Sequence, residues 1–221
     1  MSKTDIWLIR HAESTANCGI WSNDPEKIGL SERGQQQARE LAHSITKEPE
    51  LIVVSPFLRT RETTQPLIDR WPNVPLQVWP IQELVYLSPS HFAAATPSEQ
   101  NIMKETYWQR LDPFFCDGQG AESFANFIER LHNFHLRLSA CNGFTLVIGH
   151  GQFFKAYLLG LHEPCVATKE WMQYFRNEEI SQPLHNCEIL KLEFETWGKE
   201  NKVLVKYAMP AKTLEGSEGN P

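Results

Sequence analysis

The chain has 221 residues, a formal net charge of -6, 41% hydrophobic and 22% charged residues. That length allows one sizeable core, and the composition excludes wholesale disorder. The acidic balance opposes nucleic acid, which is held by neutralising phosphates with Lys and Arg, opposes adsorption to anionic membranes, and taken alone speaks against phosphorylated ligands.

Residues 5–10 read as a short buried strand, with no cationic leader before it. Residues 31–45 carry the helical pattern, with Ser31 as N-cap and Ala38, Leu41, Ala42 and Ile45 on one face. Leu51–Val54 is a fully apolar strand running straight into Ser55-Pro56. A helix is predicted over 59–71, ended by Pro72, and a third strand over 76–79. Residues 88–120 hold Pro89, Pro97 and Pro113 and a helical piece near 98–110. They are expected to form an insertion over one end of the sheet, a lid that sets specificity. An amphipathic helix follows over 122–138, with Phe124, Phe127, Ile128, Leu131, Phe134 and Leu138 as its core face. The apolar strand 144–148 leads into a helix over 152–161, and 188–195 with Lys202–Tyr207 form a closing hairpin around Trp197-Gly198-Lys199.

Strands apolar on both faces, alternating with helices, predict a three-layer α/β/α sandwich with a mostly parallel sheet and an antiparallel edge. Residues 1–211 are expected to make one domain, and the Gly-, Ser- and Glu-rich 212–221 a frayed tail. No stretch approaches the ~20 apolar residues of a spanning helix. Cys18, Cys116, Cys141, Cys165 and Cys187 stand singly, without a CxxC pair, and read as reduced thiols of a cytoplasmic protein.

The chain has no GxGxxG after a strand, no GxxxxGK[ST], no HExxH and no GxSxG. Instead, Arg10-His11 closes the first strand and Gly149-His150-Gly151 the fourth, while Ser55-Pro56-Phe57-Leu58-Arg59 follows the second and Glu83 the third. In an open parallel sheet, ligands gather outside the carboxyl ends of the strands. Two His, two Arg and one Glu are thereby expected at one edge. Arginine forks suit phosphate oxygens, and the helix after Gly151 can aim backbone N–H groups at an anion. A neutral imidazole is a nucleophile toward phosphorus, and a carboxyl group pressed against a phosphate dianion keeps its proton more firmly.

These runs resemble the histidine phosphatase superfamily, also called the phosphoglycerate-mutase-like family. Its signatures correspond here to Arg10-His11-Ala12-Glu13, to Ser55 through Arg59 to Thr63, to Glu83, and to Gly149-His150-Gly151. The segments 30–38 and 121–124 also match, so the resemblance spans residues 6–193. It implies that His11 is the phosphorylated nucleophile and that Arg10, Arg59 and His150 bind phosphoryl oxygens. It further implies that Asn17 and Gly151 add to the phosphate site, and that Glu83 is the proton donor and later the base. Neither metal nor cofactor is implied, since the cationic side chains take that role. Ala12 stands where the family usually has Gly, which predicts a slight local adjustment.

The implied function is a metal-independent phosphatase acting on a small phosphorylated molecule. A phosphoglycerate mutase is the first alternative, but Glu83-Leu84-Val85-Tyr86-Leu87 lacks the Arg that mutases carry after this Glu. A non-catalytic phospho-ligand module is the second, and the retained His11 and Glu83 oppose it. Among the other groups, Arg61 reads as a solvated helix charge, Glu13 as structural, and Asp112 and Glu122 as weaker acids than Glu83. His132 and His135 have a spacing that suits a metal but no partner beside them. Trp21 and Trp108 are expected at the substrate entrance. The chain specifies no oligomeric state.

Overall fold

The computed structural model describes residues 2–20, 24–197 and 202–207. Six strands form one sheet in the order β3-β2-β4-β1-β5-β6: β1 (Ser2–Arg10), β2 (Leu51–Val54), β3 (Leu76–Val78), β4 (Phe144–Gly149), β5 (Ile189–Trp197) and β6 (Lys202–Tyr207). The pairs β1·β4, β2·β4 and β2·β3 are parallel, whereas β5 pairs antiparallel with β1 and with β6. The central β4 is buried throughout, as its unbroken apolar run requires.

Helices α1 (Glu32–Ser44) and α2 (Leu58–Arg70) cover one face, where Leu41, Ala42, Ile45 and Leu67 pack on Ile52, Leu146 and Ile148. The other face carries a larger aromatic core. It is built from α5 (Phe124–Ser139), α6 (Gly151–Gly160) and α7 (Lys169–Ser181), after the short α3 (Pro89–Ala94) and α4 (Pro97–Arg110) have crossed the 88–120 segment. Phe124, Phe127, Phe134, Phe153, Phe154 and Phe175 are fully buried there.

Helix starts follow local chemistry. Ser31, Thr96, Ser123 and Thr168 each accept a backbone N–H from the first turn of α1, α4, α5 and α7. The Ser123 cap starts α5 two residues later than the apolar pattern suggested, leaving Glu122 outside the helix. Helix α7 was not anticipated from sequence. Its buried face is only Trp171, Met172 and Phe175, and the rest of it is polar apart from the exposed Tyr174 and Ile180. The Gly198-Lys199 turn, the 212–221 tail and Trp21 lie outside the described residues.

The register brings the carboxyl ends of three strands level. Arg10 is opposite Gly149 across β1·β4, and Val54 is opposite Ile148 across β2·β4. His11, Ser55 and His150 therefore leave the sheet side by side.

Candidate active site

His11 and His150 are buried, and their ring centroids lie 5.2 Å apart. The loop that carries His11 is anchored from both sides. Ala12 N–H donates to Thr63 Oγ1 of α2 at 3.0 Å, and Asn186 Nδ2 donates to the His11 carbonyl at 3.0 Å. Beyond it, Ser31 Oγ donates to Glu13 Oε1 at 2.7 Å and Arg33 lies 3.6 Å from the same carboxylate, so Glu13 joins the loop to α1. Gly34 lies against this loop, and a Cβ there would meet the Glu13 carbonyl oxygen at 1.9 Å. Ala12 is accommodated without strain. Positive φ among non-glycine residues occurs at Leu111 and Cys187, and the Ala12 methyl packs with Leu30 and Ala38.

His11 Nδ1 lies 2.7 Å from the Ala12 carbonyl oxygen, which can only accept, so Nδ1 carries the proton. Nε2 is left with a lone pair, which accepts from Arg59 Nε at 3.3 Å. Burial and the Arg59 charge, with a smaller contribution from Arg10, hold the His11 pKa well below the ordinary 6.5. The same two causes, burial first, depress His150. Both rings are neutral at pH 7.

Arg59 is 7% exposed and spans both rings. Its second fork nitrogen lies 3.2 Å from His150 Nδ1, while NH1 donates to the Pro25 carbonyl at 2.9 Å. Burial lowers its pKa to about 10, still charged at neutral pH. Arg10 is held by the Leu184 carbonyl. Gly151 lets it approach, since a Cβ at this position would come within 3.2 Å of Arg10 Nε. Arg61 is exposed on the far side of the same helix turn.

Glu83 completes the cluster. Its Oε2 lies 3.7 Å from His150 Nδ1, and its Oε1 accepts the Gln152 N–H at 2.7 Å. One amide at the start of α6, expected from sequence to face an anion, is thus taken by the carboxylate. Desolvation raises the Glu83 pKa above the ordinary 4.5, against the pull of Arg59, Arg10 and the Gln152 amide. The Glu83 loop is itself clamped. Arg130 NH1 donates to the carbonyls of Pro80 and Gln82 at 2.9 and 3.1 Å, and Arg130 pairs with Glu122 at 2.5 Å. Glu122 is therefore an anchor and no candidate acid, and Asp112 caps the Phe114 amide.

Asn17 lines the cavity, with its carboxamide oxygen engaged by the Ser14 amide and hydroxyl and by Asn186. Ser55, Gln152, Asn186 and Arg130 had no role assigned from sequence. Only Ser55 carried a signal, as part of the Ser-Pro run. Its Oγ lies 2.8 Å from His150 Nε2. Trp108 corrects an expectation: it is buried among Tyr86, Tyr107, Phe124 and Phe175 and does not line the cavity. His132 and His135 bond separately to the Cys165 carbonyl and the Tyr157 hydroxyl.

One atom each of His11, Glu83 and His150 fall within 4.8 Å of one another, a spacing that metal ligands also show. The Arg59 cation, bonded to both rings, opposes a second cation among them. Two guanidiniums, two neutral imidazoles and one carboxyl of raised pKa instead make a site suited to an anion, with a free imidazole lone pair and a carboxyl beside it.

A search of curated proteins finds no significant sequence match. Among solved structures, an alpha-ribazole-5'-P phosphatase described as putative, from Escherichia coli, is 20% identical with a TM-score of 0.65, covering 92% of this chain and 96% of its own. A mycobacterial glucosyl-3-phosphoglycerate phosphatase is 19% identical with a TM-score of 0.65, covering 93% and 97%. A phosphoserine phosphatase from Entamoeba histolytica, solved with 3-phosphoglyceric acid, is 21% identical with a TM-score of 0.65, covering 94% and 98%. At these identities they share the fold. The family model for the histidine phosphatase superfamily, branch 1, matches residues 6–205, and the chain belongs to that family.

Proposed function

We propose that the protein is a phosphatase that hydrolyses phosphomonoesters of small molecules through a phosphohistidine on His11. The observation that carries this reading is the fixed tautomer of His11: Nδ1–H bound to the Ala12 carbonyl, with the Nε2 lone pair directed at the Arg59 guanidinium. A phosphoryl group held by Arg59, Arg10 and His150 would sit against that lone pair. Asn17 and the start of α6 at Gly151 border the same space.

In the first step the Nε2 lone pair attacks phosphorus, the P–O bond to the alcohol breaks, and Glu83 gives its proton to the leaving oxygen. In the second step water attacks phosphorus, the P–N bond breaks, and the Glu83 carboxylate takes the proton of the water. Glu83 must carry a proton for the first step; desolvation raises its pKa toward that state, and an incoming dianion raises it further. Positioning and charge stabilisation supply most of the rate. Proteins of similar fold named as phosphatases support hydrolysis, and the missing Arg after Glu83 favours it over a mutase.

Pro89, Phe92, Ala93 and Lys104 border the cavity, in keeping with 88–120 acting as the specificity segment of a single domain. Five unpaired cysteines fit a reducing compartment such as the cytoplasm, and no helix among the described residues is long and apolar enough to cross a membrane. Nucleic acid remains disfavoured by the net charge of -6.

The test is p-nitrophenyl phosphate hydrolysis with His11→Ala. The wild type should release phosphate and, on alkaline quenching, retain an acid-labile phosphoryl group. The variant should lose both, with a rate fall of more than roughly 10³-fold. Release by His11→Ala at near wild-type rate would sink the mechanism.

A further inference from the structure

The phosphoryl site occupies one end of a cavity of about 460 Å³. The remaining space has a different character. Next to Glu83, the group that faces the leaving oxygen, the wall is made by Leu84, Val85, Tyr86 and Leu87, with Phe92 from α3 beyond them. Leu84 and Leu87 are buried. The Tyr86 ring is fixed by Tyr107 and Trp108, at centroid distances of 4.6 and 5.3 Å.

The polar side chains on the α6–α7 wall are engaged with one another. Gln152 Nε2 donates to Glu179 Oε1 at 3.3 Å, and Glu179 Oε2 accepts from Arg176 at 2.6 Å. Lys155 Nζ lies 3.8 Å from Glu178. On the opposite side Lys104 Nζ lies 5.1 Å over the Phe92 ring. A polyol leaving group would bring hydroxyls that lose water on entering and need new partners. This wall gives few, because most of its polar groups already pair with each other, Gln152 Oε1 being the one buried acceptor left without a partner among them. An apolar group needs no partners and gains from leaving water.

We propose that the cavity selects phosphomonoesters whose alcohol carries an apolar or aromatic group close to the ester oxygen, seated against Tyr86 and Phe92. The inference rests on the phosphatase reading of the same site, and it is tested by two independent measurements.

The first is kcat/KM for benzyl and n-hexyl phosphate against glycerol 3-phosphate and glucose 6-phosphate. All four are primary alkyl esters, so leaving-group reactivity is nearly constant. The apolar pair should be favoured by roughly tenfold or more. Phe92→Ala should narrow that ratio, chiefly through a higher KM for the benzyl ester. Val85→Asp, a second change in the wall, should narrow it too.

The second is calorimetric binding of benzylphosphonate against glycerol-type phosphonates, which requires no turnover. Hydrolysis without an apolar preference would overturn the inference and leave the phosphatase reading standing. An apolar binding preference with no hydrolysis of any ester would support the inference and overturn that reading. Equal or better binding of the polyol phosphonate would overturn the inference in either case.

Discussion

Ser55 shows how one hydroxyl sets what His150 can do. Its Oγ lies 2.8 Å from His150 Nε2, and a hydroxyl can donate or accept. With Arg59 donating to Nδ1, His150 carries its proton on Nε2, and this N–H donates a hydrogen bond to Ser55 Oγ. When a phosphoryl oxygen arrives at Nδ1, the proton can sit there instead, with Ser55 donating to Nε2. Ser55→Ala removes this adjustable partner from a ring that is fully buried. The expected result is a fall of about 10–100-fold in kcat/KM, with weaker competitive inhibition by inorganic phosphate. Unchanged phosphate inhibition would show that Ser55 does not prepare His150 for the anion. The placement of Arg10, His11, Arg59 and His150 at one edge was legible in sequence because Arg10 ends β1, His11 and His150 follow β1 and β4 directly, and Arg59 lies in the first turn of the helix after β2. Ser55's role was not, because it depends on β2 and β4 pairing in this register, and Asn186 reaches His11 from far along the chain.

At the scale of elements, the placement of Glu83 depends on a segment without regular structure. Residues between β3 and α3 carry it, and Arg130 of α5 holds them by the Pro80 and Gln82 carbonyls. Glu122, displaced from the helix by the Ser123 cap, fixes Arg130 and also bonds Val85, its amide donating to the Val85 carbonyl at 2.8 Å. Arg130→Met keeps the length of the apolar stem and removes the fork. It should lower kcat by roughly 10–100-fold through displacement of Glu83, the proposed proton donor, while inorganic phosphate binds nearly as before. Loss of kcat and phosphate binding together would mark general disruption instead. The sequence showed α5 by its apolar period, and the period could not reveal that its one interior arginine grips a distant loop. Helix α7 was missed for a related reason: three buried residues make too narrow a stripe to stand out from a polar background.

For the whole molecule, continuous apolar strands announced the parallel core. The strand order followed less readily, because β4 enters between β1 and β2 from the other end of the chain. That insertion gathers Arg10, His11, Arg59 and His150 into a cationic site within a chain of net charge -6, and it has a consequence for stability. His11 and His150 have folded pKa values well below 6.5, chiefly through burial, and His135 is lowered by burial as well. Between those depressed values and 6.5 the unfolded chain binds protons that the folded chain does not, so stability falls as pH drops through this window. Each fully buried histidine contributes a slope of about 1.4 kcal/mol per pH unit. Glu83 acts in the opposite direction, because its raised pKa lets the folded chain hold a proton that the unfolded chain has released above 4.5. Two buried histidines outweigh one carboxyl where the windows overlap. Urea unfolding should therefore show stability declining from pH 7 to pH 5, with a shallower decline in His11→Asn. A flat or rising profile in the wild type would mean that the two rings are not held neutral, and an imidazolium at His11 would have no lone pair with which to attack phosphorus.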